Sequence, residues 1–274
     1  MTRSAPGNSL EPRFGPLFNG SSFRHHDEAV IGDMDVSGAL VNASFRSTPW
    51  AAEEAETASG RTAANILFVS ESNVCRSVLA QAIMQQLLDE AGLAHCVHCE
   101  SKGTRDYNLG DGPEPAVVRV AQEQGIRLPD GFAARQMDHE ADIVQFDLVL
   151  VMDKYTAADV LREVSVYDTI NKGGNYSLKV RRLGEFHPGL QGSTDPDGQD
   201  INDPLYGNVG GEEEQIAVTR AVLDIRAACE GCLRFLQQVQ RNAGSEDSFR
   251  ISLKEAVNGM KTLEWLVPPM LQQR

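Results

Sequence analysis

Between residues 64 and 240, short unbroken apolar runs alternate with helix-periodic segments, and this alternation constrains the fold more than any other feature. NILFV, Asn65 to Val69, carries apolar side chains at consecutive positions, so a strand there must be covered on both faces. A helical run follows over Val78 to Ala91, with Leu79, Ile83 and Leu87 on one face. HCVHCES reads as a second strand, and PEPAVVRVAQEQG as a helix with proline near its start and Gly125 placed to end it. FDLVLVM is a third buried strand, YTAADVLREV a helix, KVRRL a shorter fourth strand, and a long helix over about 213–239 closes the unit. The pattern predicts an α/β fold: a four-stranded parallel sheet with helices on both faces, spanning 64–240. Ligands of such sheets bind at the carboxyl ends of the strands.

The flanks read differently. Residues 1–62 hold no sustained period and many Gly, Pro, Ser and Asn residues, which predicts a disordered or loosely attached arm. Its first 26 residues set Arg3, Arg13 and Arg24 against one acid, Glu11, a composition like that of a plastid or mitochondrial transit segment; a plain linker is the alternative. In the tail, 245–274, Phe249, Leu253, Ala256, Met260, Leu263 and Val267 recur every three or four residues until Pro268 and Pro269. That spacing predicts one amphipathic helix from Phe249 to Val267, docked on its own domain or on a protein partner.

Composition narrows the partners. A net charge of −14 argues against nucleic acid, which needs a basic face, although a small basic pocket can sit in an acidic protein. The chain has no apolar run of about 18 residues, so no membrane span is expected. Five cysteines make an odd, modest set, expected as reduced thiols in the cytoplasm or an organelle rather than in a secreted protein. Cys96 and Cys99, and Cys229 and Cys232, have CxxC spacing. A strand sends residues three apart to opposite faces, and the second pair lies in a helical pattern, so core packing is expected rather than a metal site.

The segment after NILFV carries the chemistry. A polar turn, Ser70-Glu71-Ser72-Asn73-Val74-Cys75, leads into Arg76-Ser77 at a helix start. Such a turn aims backbone N–H groups at one spot, and the helix N-terminus adds positive potential there. Arg76 can fork onto a phosphate, Asn73 can brace the turn, and Ser77 is placed as a helix cap and as a donor into the loop floor. A second segment, INDPLYGNVG, offers Asp203 on a proline-constrained turn as a general acid, with Tyr206 as an aromatic wall.

Together these segments resemble the low molecular weight protein tyrosine phosphatase family over about Asn65 to Val239. The family opens with a strand, Cys-x4-Cys-Arg-Ser and a helix, and residues 70–77 match it except at the first position. ESKGTRDYNLGDGPEPAVVRVAQEQGI is similar to the family's Ser-Ala-Gly-Thr segment and following helix, ARQM and FDLVLVMD to its next two blocks, and DPLYG to its acid loop. The resemblance implies two-step hydrolysis of a phosphate monoester, with no cofactor and no metal. A loop cysteine attacks phosphorus, Arg76 clamps the equatorial oxygens, and Asp203 protonates the departing phenolate. Glu71, Ser72, Asn73, Val74, Cys75, Arg76 and Ser77 would cradle the phosphate, while Tyr107 and Tyr206 flank the ring of a phosphotyrosine protein or a small ester.

The departure lies at the nucleophile position, which holds Ser70. A helix N-terminus and an arginine can ionise a thiol but not a hydroxyl, and a serine nucleophile needs a base. His187 is the nearest candidate, and no motif places it there. Leu205 shrinks the aromatic wall, Val78 replaces a usual proline, Lys102 adds a cation expected near the cleft, and Cys75 has lost its redox partner. The leading expectation is a pseudophosphatase that binds phosphate esters without turnover. The alternatives are a working tyrosine or acid phosphatase, an active enzyme carrying a Cys-to-Ser change, and an arsenate reductase relative, which would need the missing cysteine.

Overall fold

The computed structural model describes residues 63–170, 176–190, 198–208, 210–244 and 246–260. The arm expected over 1–62, and Leu263 and Val267 of the tail pattern, lie outside the described residues. Four strands, β1 (Ala64–Ser70), β2 (Val97–Gly103), β3 (Leu148–Val151) and β4 (Val180–Arg182), form one parallel sheet in the order β2-β1-β3-β4. The helices are α1 (Arg76–Ala91), α2 (Pro115–Glu123), α3 (His139–Gln145), α4 (Lys154–Ile170), α5 (Gly211–Ala243) and α6 (Glu246–Asn258). None of the described helices is long and apolar enough to cross a membrane.

The consecutive apolar residues of β1 divide between two cores, as a period of two requires. Ala64, Ile66 and Phe68 join α1, α2, α5 and α6, while Leu67 and Val69 face Ile143 of α3 and Ala157, Val160 and Val164 of α4. Burying both faces fixes the register, since a one-residue slip would exchange the two sets. In that register Ser70 lies opposite Gly103, so the strand ends that carry the candidate loop are level.

Several expectations change. Helix α3 is absent from the sequence reading; it is short, with Asp138 as its N-cap accepting the N–H groups of Glu140 and Ala141. Cys96 and Cys99 enter the same core, not opposite faces, because Cys96 precedes the strand in a turn. Cys229 and Cys232 take core positions in α5, as expected from the helical spacing.

The tail helix is shorter than its periodicity suggests, ending at Asn258 before Gly259. Of its stripe, Phe249 and Leu253 are buried in the main core with the neighbouring Val257, and the partly buried Ala256 and Met260 pack against it. Arg250 Nε donates to both oxygens of the buried Asp147 carboxylate, at 3.0 and 2.9 Å, and Asn65 N donates to Asp147 Oδ2 at 3.0 Å. Asp147 directly precedes β3 and Asn65 stands near the start of β1, so this contact closes the amino ends of the strands, away from the candidate site.

Candidate functional site

The loop after β1 turns through Asn73, which adopts a left-handed φ of 62°, a conformation that Asn tolerates better than most residues. Its side chain then holds the turn from inside. Nδ2 donates to Ser77 Oγ and to Ser101 Oγ, both at 3.0 Å, and Oδ1 accepts from Arg135 N at 2.9 Å. Three carbonyls of the turn accept from outside it: Ser70 O from Thr104 N, Glu71 O from Arg105 N, and Val74 O from Glu114 N. The N–H groups of Glu71, Ser72, Val74, Cys75 and Arg76 have no protein acceptor among the described residues. Free N–H donors gathered at a helix N-terminus have the chemistry of an anion cradle. Ser77 supports this floor but does not cap α1; Cys75 holds the N-cap position, without a side-chain bond.

Arg76 is buried at the cradle, and both of its terminal nitrogens are engaged. Its Nη1 pairs with Asp153 and donates to Ile201 O at 3.0 Å, while Nη2 donates to Asp203 Oδ2 at 2.8 Å. Burial opposes its charge, and the Asp203 and Asp153 carboxylates outweigh burial and keep it protonated. Asp153 lies two residues past the end of β3 and also accepts Thr156 N at 2.7 Å, so the first turn of α4 orients it. Burial works against its charge, but Arg76 and the Thr156 N–H hold its carboxyl below the usual aspartate range. Sequence reading missed Asp153, although the end of FDLVLVMD stands at the carboxyl edge where ligands bind.

Ser70 is buried at the base of this arrangement. Its Oγ lies 2.7 Å from Ser77 Oγ and accepts Asn73 N at 3.3 Å. Among the described residues no imidazole or carboxylate is bonded to it. His187 Nδ1 instead accepts from Gly189 N at 3.0 Å. Cys75 offers no substitute, because burial and then the Asp203 carboxylate push its thiol well above the ordinary range. All five cysteines are free and buried.

The remaining predicted residues divide. Tyr107 follows the end of β2 and Tyr206 follows Asp203, and both are exposed. An unforeseen third tyrosine, Tyr155, is exposed in the first turn of α4, with the Lys154 ammonium 5.0 Å from its ring centroid. Leu205 packs against the main core. Lys102 does not join the cleft. It alternates with Ser101, so it points to the other face of the sheet, where Nζ meets Asp142 Oδ1 at 2.6 Å.

The model of the family described as low molecular weight phosphotyrosine protein phosphatase matches residues 65–244. The chain belongs to this family. It is 32% identical over 144 residues to the low molecular weight phosphotyrosine protein phosphatase of Sus scrofa, covering 53% of this chain and 81% of that one. The crystal structure of YfkJ from Bacillus subtilis is 25% identical with a TM-score of 0.50, covering 64% of this chain and 96% of that one. A protein tyrosine phosphatase from Entamoeba histolytica, solved with Hepes in the active site, shares the fold at 21% identity and a TM-score of 0.53. It covers 65% of this chain and 99% of that one.

Proposed function

We propose that this family member is a pseudophosphatase, which binds phosphotyrosine or a small phosphate monoester in the cradle and turns it over slowly or not at all. The observation that carries this reading is Ser70: it stands at the nucleophile position, buried against the Ser77 hydroxyl and the Asn73 N–H, with no base bonded to it among the described residues. Binding is supported by the five unclaimed N–H groups and by Arg76, whose fork would pass from Asp203 to the phosphate oxygens. Asp203, 30% exposed at its side chain, would then face the leaving oxygen, and the exposed Tyr107 and Tyr206 would flank an aromatic ester. A reducing compartment, cytoplasmic or organellar, belongs to this reading because every thiol is free.

Calorimetry with inorganic phosphate tests the cradle, with binding expected in the unmodified chain and abolished by Arg76→Ala. Equal binding by the two proteins refutes it. Hydrolysis of p-nitrophenyl phosphate tests the chemistry. The unmodified chain is expected to be nearly silent, and Ser70→Cys to raise turnover by about a thousandfold. Robust turnover that disappears in Ser70→Ala would replace this reading with a working serine-dependent phosphatase.

A further inference from the structure

Arg182, the last residue of the short edge strand β4, is only 1% exposed and the largest fully buried side chain among the described residues. An arginine is seldom placed there without a partner, since an unpaired buried charge is strongly unfavourable. Its Nη1 donates to Asp200 Oδ1 at 2.6 Å and its Nη2 to Gln199 Oε1 at 2.9 Å. Among the described residues neither acceptor is bonded to the turn over 71–77. Both lie in the segment leading to Asp203.

We infer that Arg182 is a positioning residue for the acid loop, holding residues 199–203 so that Asp203 and the Ile201 carbonyl meet Arg76 at the cradle. The chain of contacts is continuous. Asp200 Oδ1 also accepts Lys154 N, at the start of α4 next to Asp153, at 3.0 Å. Ile201 N donates to Met152 O at 2.9 Å, and Ile201 O accepts Arg76 Nη1 at 3.0 Å. Two residues on, Asp203 Oδ2 accepts the other arm of Arg76. Backbone packing supports the same seat: a Cβ on Gly184 would stand 2.0 Å from Gln199 O, so the loop rests directly on the turn after β4. Burial pushes the Asp200 carboxyl above its ordinary range, and the neighbouring Arg182 guanidinium pulls the other way. Ile201 is itself buried, which locks the segment between its two polar ends.

The inference rests on reading Asp203 and Arg76 as the groups that face a bound ester, so its test is built to be independent of turnover. Hydrogen exchange on the full chain compares the unmodified protein with Arg182→Met, which fills the same space without donors, and with Arg182→Lys. Exchange over 198–206, including the Ile201 N–H, is expected to quicken about tenfold or more in Arg182→Met while β1 and α1 stay unchanged, and Arg182→Lys should recover part of the protection. Unchanged exchange in that segment, or an equal rise throughout the chain, overturns the assignment. A second arm uses the Ser70→Cys background. There Arg182→Met should lower kcat far more for phenyl phosphate, whose poor leaving group needs the acid, than for p-nitrophenyl phosphate, with KM little changed. Equal losses for the two esters overturn the link to the acid. An inert Ser70→Cys protein would count against the proposed function alone, and the exchange result would still decide the role of Arg182.

Discussion

Gly103→Ala tests whether the cradle is held as tightly as its hydrogen bonds imply. Gly103 lies opposite Ser70, and a Cβ there would stand 2.8 Å from Glu71 O, 3.1 Å from the Ser72 carbonyl carbon and 3.2 Å from Asn73 N. All three are backbone atoms of the loop, so no rotamer change relieves the contact. Nor can β2 retreat. Gly103 N donates to Arg135 O and Gly103 O accepts Met137 N, both at 2.7 Å. The loop must therefore yield by roughly half an ångström to reach ordinary contact distance. Asn73 moves with it, and its three side-chain bonds to Ser77, Ser101 and Arg135 are stretched together.

Overpacking of this kind costs about 1–3 kcal/mol. At about 1.4 kcal/mol per factor of ten, phosphate affinity is expected to fall roughly tenfold to a hundredfold. The melting temperature should drop by about 2–4 °C for each kcal/mol. Gly112→Ala is the control, because a Cβ there meets nothing within 4 Å and the change should stay within about 0.5 kcal/mol. Calorimetric titration with phosphate and a thermal melt read the two effects. Unchanged affinity and melting temperature in Gly103→Ala would show that the loop is soft, and the rigid-cradle reasoning would fail.

Arg250→Met should destabilise the domain by about 3 kcal/mol by leaving the Asp147 carboxylate, 1% exposed, with the Asn65 N–H and the distant Lys254 as its remaining support. A urea titration showing a loss below about 1 kcal/mol would refute that. Phe249→Ala, at a fully buried site, should cost about 3–5 kcal/mol, and a small loss would mean that α6 is not part of the core. Asp153 has a lowered folded pKa, so its contribution is complete above about pH 4 and is lost as pH falls through that lowered value. The stability gap between the unmodified chain and Asp153→Asn should hold through neutral pH and close in acid; a gap that widens in acid contradicts the Arg76 pairing. Finally, iodoacetamide should label Ser70→Cys at its new thiol, buried like the native five but held as a thiolate by the loop donors, and spare those five, whereas labelling at Cys75 would show a reactive loop thiol there.

What was legible in the sequence followed from periodicity, and what was not depended on contacts between distant residues. NILFV and FDLVLVM gave strands buried on both faces because apolar residues occupy both parities. Helix α3 escaped because seven residues hold too little period, although Asp138 was a visible cap. The tail was overextended because a recurring apolar stripe outweighed Gly259, whose position after Asn258 is an ordinary helix stop. In the site, Arg76 and Asp203 came from local motifs. Asp153 pairs across 77 residues and Arg182 across 18, so neither partnership leaves a local pattern. The placement of Lys102 was recoverable. Counting alternation from Ser101, which faces Gln81 and Asn73, would have sent it to the opposite side of the sheet.

The surroundings of Ser70 explain why a single atom decides the chemistry. Ser70 Oγ shares a hydrogen bond with Ser77 Oγ, in which either hydroxyl can donate, and it also receives the Asn73 N–H. Nearby, the unclaimed loop N–H groups and Arg76 add further positive potential. A thiolate at this position would be stabilised by every one of these groups, since each lowers the free energy of negative charge. A hydroxyl gains nothing comparable, because its pKa starts so far higher that the same field leaves it protonated. It needs a base to take its proton, and the bonds identified at Ser70 are to a hydroxyl and a backbone N–H, neither of which is a base. The environment that would make a cysteine reactive therefore leaves a serine a well-bonded floor, and the proposal that this protein holds a phosphate without cleaving it rests on that difference.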